Sequence, residues 1–180
     1  NVSSPNTKNL RDLQKPEVLE KILQNVNTIN VSLKKQVPIF IKIAPDLTEN
    51  NVTEILNACE ENKVSGLIAT NTTISPRTLK KPKSFEGGLS GKPLFKPSNK
   101  ILKLLAKRKN PSTALIGVGG IFSASDVYEK IRLGASAVQI YSGFVYNGPM
   151  HIKKLEMELE NLLINDGYSS VAEAVGASIR

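Results

Sequence analysis

Four groups of residues in this 180-residue chain have the types and spacing to do chemistry. Asn1-Val2-Ser3-Ser4-Pro5-Asn6-Thr7 is dense in carboxamides and hydroxyls, which both donate and accept hydrogen bonds. Such a segment can read a polar ligand or simply close a capped turn, since Ser, Pro and Asn are ordinary turn residues. Lys42 interrupts an otherwise apolar run. A lysine is almost never fully buried unless paired, so it either reaches solvent or meets an anionic or electron-rich ligand. Thr70-Asn71-Thr72-Thr73 again offers amide and hydroxyl groups, suited to a polar heterocycle or to a turn. The glycine sets Gly87-Gly88-Leu89-Ser90-Gly91, Gly117-Val118-Gly119-Gly120 and Tyr141-Ser142-Gly143 would let backbone N–H groups approach a phosphate closely.

These groups sit at the ends of short apolar runs. Residues 37–43, 66–70, 114–118 and 137–141 are rich in Ile, Val and Leu and apolar on both faces, which predicts strands of a buried parallel sheet. Between them lie helical patterns. Residues 16–35 place Val18, Leu19, Ile22, Leu23, Val26 and Ile29 on one face behind Pro16. Thr48, Ser98 and Ser123 are expected N-caps of three further helices. The helix after Ser123 should stop at Gly134, and a last one carrying Ile152, Leu155, Leu159 and Leu162 near Gly167. Alternating strands and helices with short links predict an α/β fold. Four units fit part of a (β/α)8 barrel or a doubly wound sheet. The barrel is favoured because polar residues and glycines follow each strand, where barrel active sites open. A whole barrel takes about 250 residues, more than this chain has.

Composition removes other classes. The chain has 24 Lys+Arg against 16 Asp+Glu, a net charge of +8. Its basic clusters, Arg77, Lys80, Lys81, Lys83 and Lys103, Lys107, Arg108, Lys109, lack the aromatic interleaving that stacks bases. They read as solvated surface, and no nucleic-acid partner is expected. A single cysteine, Cys59, excludes an internal disulfide framework and is expected to pack in a helix. His151 is expected at the surface, and no metal-ligand spacing is present. No apolar run approaches the roughly 20 residues of a membrane span, and the polar start is unlike a signal peptide. The first residue is Asn1 rather than Met, so a piece of a longer chain is expected.

Taken in order, these motifs resemble the dihydroorotate dehydrogenases. Asn1–Thr7 with Leu10-Arg11 is similar to the family's active-site segment, and Ile41-Lys42-Ile43-Ala44-Pro45-Asp46-Leu47 to its flavin-contacting strand. Thr70–Thr73, Gly87–Leu94, Ile116–Gly120 and Gln139–Gly143 complete the set. The resemblance runs from end to end and implies the C-terminal half of a (β/α)8 TIM barrel, about four βα units. Residues 1–180 would then be the C-terminal portion of one FMN-binding domain, without the N-terminal half and membrane-binding segment.

The implied activity is oxidation of dihydroorotate to orotate in pyrimidine biosynthesis, with FMN as cofactor. Ser4 matches the catalytic base, and a serine there marks the second, quinone-reducing class. Asn1, Asn6, Asn71 and Thr72 match substrate contacts. Lys42 and Thr70 match flavin contacts, and Ser90, Gly91, Gly119, Gly120, Tyr141 and Ser142 match those to the ribityl-phosphate end. The implied partners are dihydroorotate or orotate and a membrane quinone. The implied location is the periphery of an inner membrane, with the bacterial cytoplasmic face the first expectation and the mitochondrial inner membrane the alternative. Asn9 stands where the family usually has glycine. Two other readings remain open at this point: a related FMN barrel of the dihydropyrimidine dehydrogenase type, whose base is usually cysteine, and an inactive fragment with residual flavin or phosphate binding.

Overall fold

The four apolar runs pair side by side, since segments apolar on both faces are satisfied only inside a sheet covered on both sides. In the computed structural model, which describes residues 2–75 and 86–180, they form β1 (Phe40–Ile43), β2 (Gly66–Ala69), β3 (Ala114–Val118) and β4 (Ala137–Gln139). All pairings are parallel, in the order β1-β2-β3-β4. Ile41 stands opposite Leu67, and Leu67 opposite Leu115. Asn1 and the basic cluster at Arg77, Lys80, Lys81 and Lys83 lie outside the described residues.

The helices are α1 (Pro16–Ser32), α2 (Glu49–Glu61), α3 (Phe95–Arg108), α4 (Ala124–Arg132), α5 (Ser142–Asn147), α6 (Met150–Asn165) and α7 (Val171–Ala174). Spatial order follows chain order, without the reversal of a doubly wound sheet. Helix α2 packs against both α1 and α3, so these connections lie side by side. This is the winding of half a (β/α)8 barrel. One core cluster joins α1, α2 and α3 to β1, β2 and β3, with Leu19, Ile43, Ile55, Leu67, Leu102 and Leu115 sealed from water. A second gathers α4, α6 and α7 around Val127, Ile131, Leu155 and Leu163. Cys59 packs within the first cluster, and burial pushes its thiol up to about 12, aided by Glu60.

Several boundaries differ from expectation for physical reasons. The first strand begins at Phe40 rather than Val37. Pro38 has no N–H to give a ladder, and Val37 is instead held by two hydrogen bonds with the Asn30 side chain. The last strand stops at Gln139, leaving Tyr141 77% exposed. Helix α1 ends at Ser32 and fully buries only Leu19 and Leu23 of its apolar stripe. Thr48 and Ser123 cap as expected, Ser123 in a reciprocal capping box with Asp126. Ser98 does not cap. Helix α3 starts earlier, at Phe95, after a 3-10 turn at Lys92–Leu94, and Ser98 lies buried inside it. Asn9 adopts a left-handed conformation at φ 61, a position suited to glycine that Asn tolerates better than most residues.

Candidate active site

A cleft of about 230 Å³ opens at the C-terminal ends of the strands. Lys42 from β1, Thr70, Asn71 and Thr72 after β2, Ser90 and Gly91, Gly119 and Gly120 after β3, and Tyr141 and Ser142 after β4 all line it. The sheet therefore brings together every expected cofactor contact with two of the expected substrate contacts. Lys42 faces this cleft, which settles its orientation. Its neighbours on the strand are apolar, burial lowers its pKa, and no carboxylate lies within 4.0 Å of it among the described residues. A half-buried cation without a counter-ion suits an electron-rich ligand.

The far wall is made of backbone. Gly119 and Gly120 follow β3 at φ +113 and +74, conformations that glycine reaches without strain. A Cβ on Gly120 would lie 2.5–2.6 Å from the Phe95 Cβ, Cα and N. A side chain would thus strike α3, and the bare backbone is what the cleft can use. Across from this turn the Ser142 Oγ donates to the Ser90 Oγ at 3.1 Å. Beneath it Lys92 Nζ reaches both Asp126 carboxylate oxygens, at 2.8 and 2.7 Å. Asp126 also accepts from the Phe122 and Ser123 N–H groups. Burial pushes the Asp126 pKa up, but the hydrogen bonds from Lys92, Phe122 and Ser123 outweigh it and hold the carboxyl below its ordinary value.

Ser4 and Asn6 stand on a neighbouring loop rather than in the cleft lining. Ser4 borders an adjacent concavity with Pro5, Thr7 and Arg11, and its Oγ accepts from the Asn6 N–H at 3.2 Å. Three contacts tie this loop to the cleft. Asn71 Nδ2 donates to the Ser3 Oγ at 3.1 Å, Gly88 N–H donates to the Asn6 Oδ1 at 3.2 Å, and Gly88 is wedged between Thr72 and Pro5 so tightly that a Cβ would overlap both. Asn1 lies outside the described residues.

Arg11 and Asp46 were not singled out as site residues, yet they knit three segments together. The Arg11 guanidinium donates through Nε to the Ser3 carbonyl at 3.1 Å, through Nη2 to the Thr72 carbonyl at 2.8 Å and through Nη1 to Asp46 at 2.8 Å. Asp46 also accepts from the Thr73 hydroxyl and, at 3.1 Å, from the Ile74 N–H. The only sequence signal for this clamp was that both residues fall within the motifs that carry the family resemblance. Arg11 follows the Ser4 segment, and Asp46 follows β1.

Comparison with known proteins bears on the family and the fold. Residues 1–163 match the model of the dihydroorotate dehydrogenase family. A dihydroorotate dehydrogenase (quinone) of Myxococcus xanthus is 44% identical over 181 residues, covering 100% of this chain and 50% of that protein. One of Christiangramia forsetii is 48% identical over 160 residues, 88% of this chain and 47% of that protein. The crystal structure of Eimeria tenella DHODH in complex with ferulenol superposes with a TM-score of 0.94 at 35% identity, over 100% of this chain and 53% of its own. The chain spans about half the length of the curated relatives it matches.

Proposed function

This chain belongs to the dihydroorotate dehydrogenase family, and we propose that it supplies the C-terminal half of an enzyme that oxidises dihydroorotate to orotate with FMN and a quinone. The observation that carries the reading is the convergence of Lys42, Thr70, Ser90 and the Gly119–Gly120 turn on one cleft. The family is flavin-dependent, and the donor set fits FMN. Lys42 offers a cation to the electron-rich ring, Thr70 a hydroxyl, and the glycine turn with Ser90, Gly91, Tyr141 and Ser142 offers N–H and hydroxyl donors to the ribityl-phosphate end. When bound, FMN would supply the two-electron carrier between dihydroorotate, which is oxidised, and the quinone, which is reduced.

The chain's own residues handle the substrate and its proton. Asn6, Asn71 and Thr72, with Asn1, hold a ring whose amides and carboxylate need both donors and acceptors. Ser4 takes the C5 proton of dihydroorotate as hydride leaves C6. A serine hydroxyl is a weak base, so its own proton must pass to a hydrogen-bonded partner or water. The Asn6 N–H on the Ser4 Oγ favours the negative charge that builds there. Arg11 and Asp46 orient the loop that carries this serine.

The curated relatives are named dihydroorotate dehydrogenase (quinone), and a quinone acceptor is apolar. We therefore propose electron delivery at a membrane surface, with the enzyme at the periphery of an inner membrane. Among the described residues no helix is long and apolar enough to cross a membrane. The test is orotate formation by the full-length protein with a ubiquinone analogue. Dihydroorotate-dependent quinone reduction with bound FMN is expected, and a purified, folded protein without flavin or without orotate formation would contradict the reading.

A further inference from the structure

Behind the glycine turn lies a charge that the proposed reaction does not use. Lys130 on α4 is the largest fully buried side chain, with an exposure of 0%. Its aliphatic part lies on β3, where a Cβ on Gly117 would come within 3.0 Å of the Lys130 Cδ. The ammonium donates to the Ser98 Oγ at 2.8 Å and to the Asn99 Oδ1 at 2.6 Å, both on α3. It also sits 5.2 Å from the centre of the Phe95 ring. Among the described residues no carboxylate comes within 4.0 Å of it.

The bonds form a consistent chain toward the cleft. Ser98, accepting from Lys130, has its single proton within reach of the Phe95 carbonyl at 3.0 Å and the Gly119 carbonyl at 3.3 Å, and shares it between them. Asn99 passes its own donor to Glu129 at 2.8 Å. Phe95 in turn is the wall against Gly120, where a Cβ would meet its Cα and N at 2.6 Å. One ammonium therefore braces both glycines, Gly119 through Ser98 and Gly120 through Phe95. A methionine of similar volume would be cheaper to bury than an unpaired cation, so the charge itself calls for a task.

We infer that Lys130 is a positioning residue for a phosphate on the Gly119–Gly120 turn, holding the turn's backbone through Ser98 and Phe95 and favouring an anion there with its charge. The inference rests on the proposed flavin phosphate site. Burial pushes the Lys130 pKa down to about 7, with Glu129 and Asp126 drawing it partly back up. A phosphate on the turn would draw the proton onto this lysine and be held by it in return.

The test compares FMN with riboflavin, which lacks the phosphate, as ligands of the flavin-depleted full-length protein. In wild type FMN binds more tightly. In Lys130→Met that preference falls by roughly tenfold, while the riboflavin dissociation constant stays unchanged. Ser98→Ala keeps the charge but cuts the link, and loses less of the preference. A folded Lys130→Met with the wild-type preference, or with both ligands weakened equally, would overturn the inference. If Lys130→Met does not fold, an unchanged preference in Ser98→Ala overturns it instead. No preference for FMN in wild type would remove the phosphate reading itself, and this inference with it.

Discussion

The proposed substrate end of the cleft is held by polar side chains that water can reach, whereas the proposed phosphate end is held by glycines pressed against buried groups. At the first, Arg11 and Asp46 are each about one-fifth exposed and meet three loops by hydrogen bonds. At the second, Ser98 and Lys130 are sealed from water, and Phe95 leaves no room for a Cβ on Gly120. The difference suits the tasks. In the proposed reaction a proton leaves the substrate end, which needs adjustable polar partners. A phosphate needs only fixed donors, and a turn that cannot relax supplies them without reorganisation.

The largest effect that would sharpen this contrast is expected at the rigid end. Gly120→Ala puts a methyl into Phe95 at a positive φ. It should cost about 1–3 kcal/mol of stability, strip the flavin and abolish turnover, as flavin absorbance of the purified protein will report. Wild-type flavin content would break the contrast at once. Lys42→Met should come next. Loss of the cation facing the ligand ring is expected to slow flavin reduction by about 10²-fold, measured by anaerobic stopped flow, with the phosphate end still holding flavin.

Arg11→Ala should act at the polar end only. Releasing the Ser3 and Thr72 carbonyls displaces the Ser4 loop, and a misplacement of about 1 Å costs on the order of 10²-fold or less. Steady-state kinetics should show a fall in kcat with unchanged flavin content. Equal flavin loss would mean that the clamp serves both ends. The smallest effect concerns Asp126. Its folded pKa lies below the unfolded value, so its contribution is complete above the unfolded carboxyl value of about 3.9 and is lost as pH falls through the folded one. Asp126→Asn should therefore destabilise by about 1–3 kcal/mol near neutral pH. The gap from wild type should close in acid, as urea unfolding at several pH values will show.

How far the sequence could be read follows the same division. The strands were legible because buried parallel strands are continuous apolar runs, as Leu67 and Leu115 illustrate. Much of the cleft was legible because Thr70, Gly119 and Tyr141 stand just beyond the strand ends, with Lys42 on β1 itself. Thr48 and Ser123 were legible as caps because capping is a local interaction. Ser98 was misread for the converse reason: its hydroxyl is engaged by Lys130, 32 residues away in the chain, and no local pattern encodes that. The chain neighbours of Lys130 carry no sign that its ammonium is buried. Arg11 and Asp46 likewise gained their task only from the meeting of three loops. Of the basic residues, the family resemblance assigned a chemical task to Lys42, and the fold adds the hydrogen bonds of Arg11, Lys92 and Lys130.

The division of labour is tested most directly by measuring flavin content and anaerobic flavin reduction by dihydroorotate side by side in Ser4→Ala and Gly120→Ala of the full-length protein. Ser4→Ala should keep its flavin and slow reduction by about 10²–10⁴-fold at neutral pH, whereas Gly120→Ala should lose the flavin. A Ser4→Ala variant reduced at the wild-type rate, or one that loses flavin as Gly120→Ala does, would contradict the account.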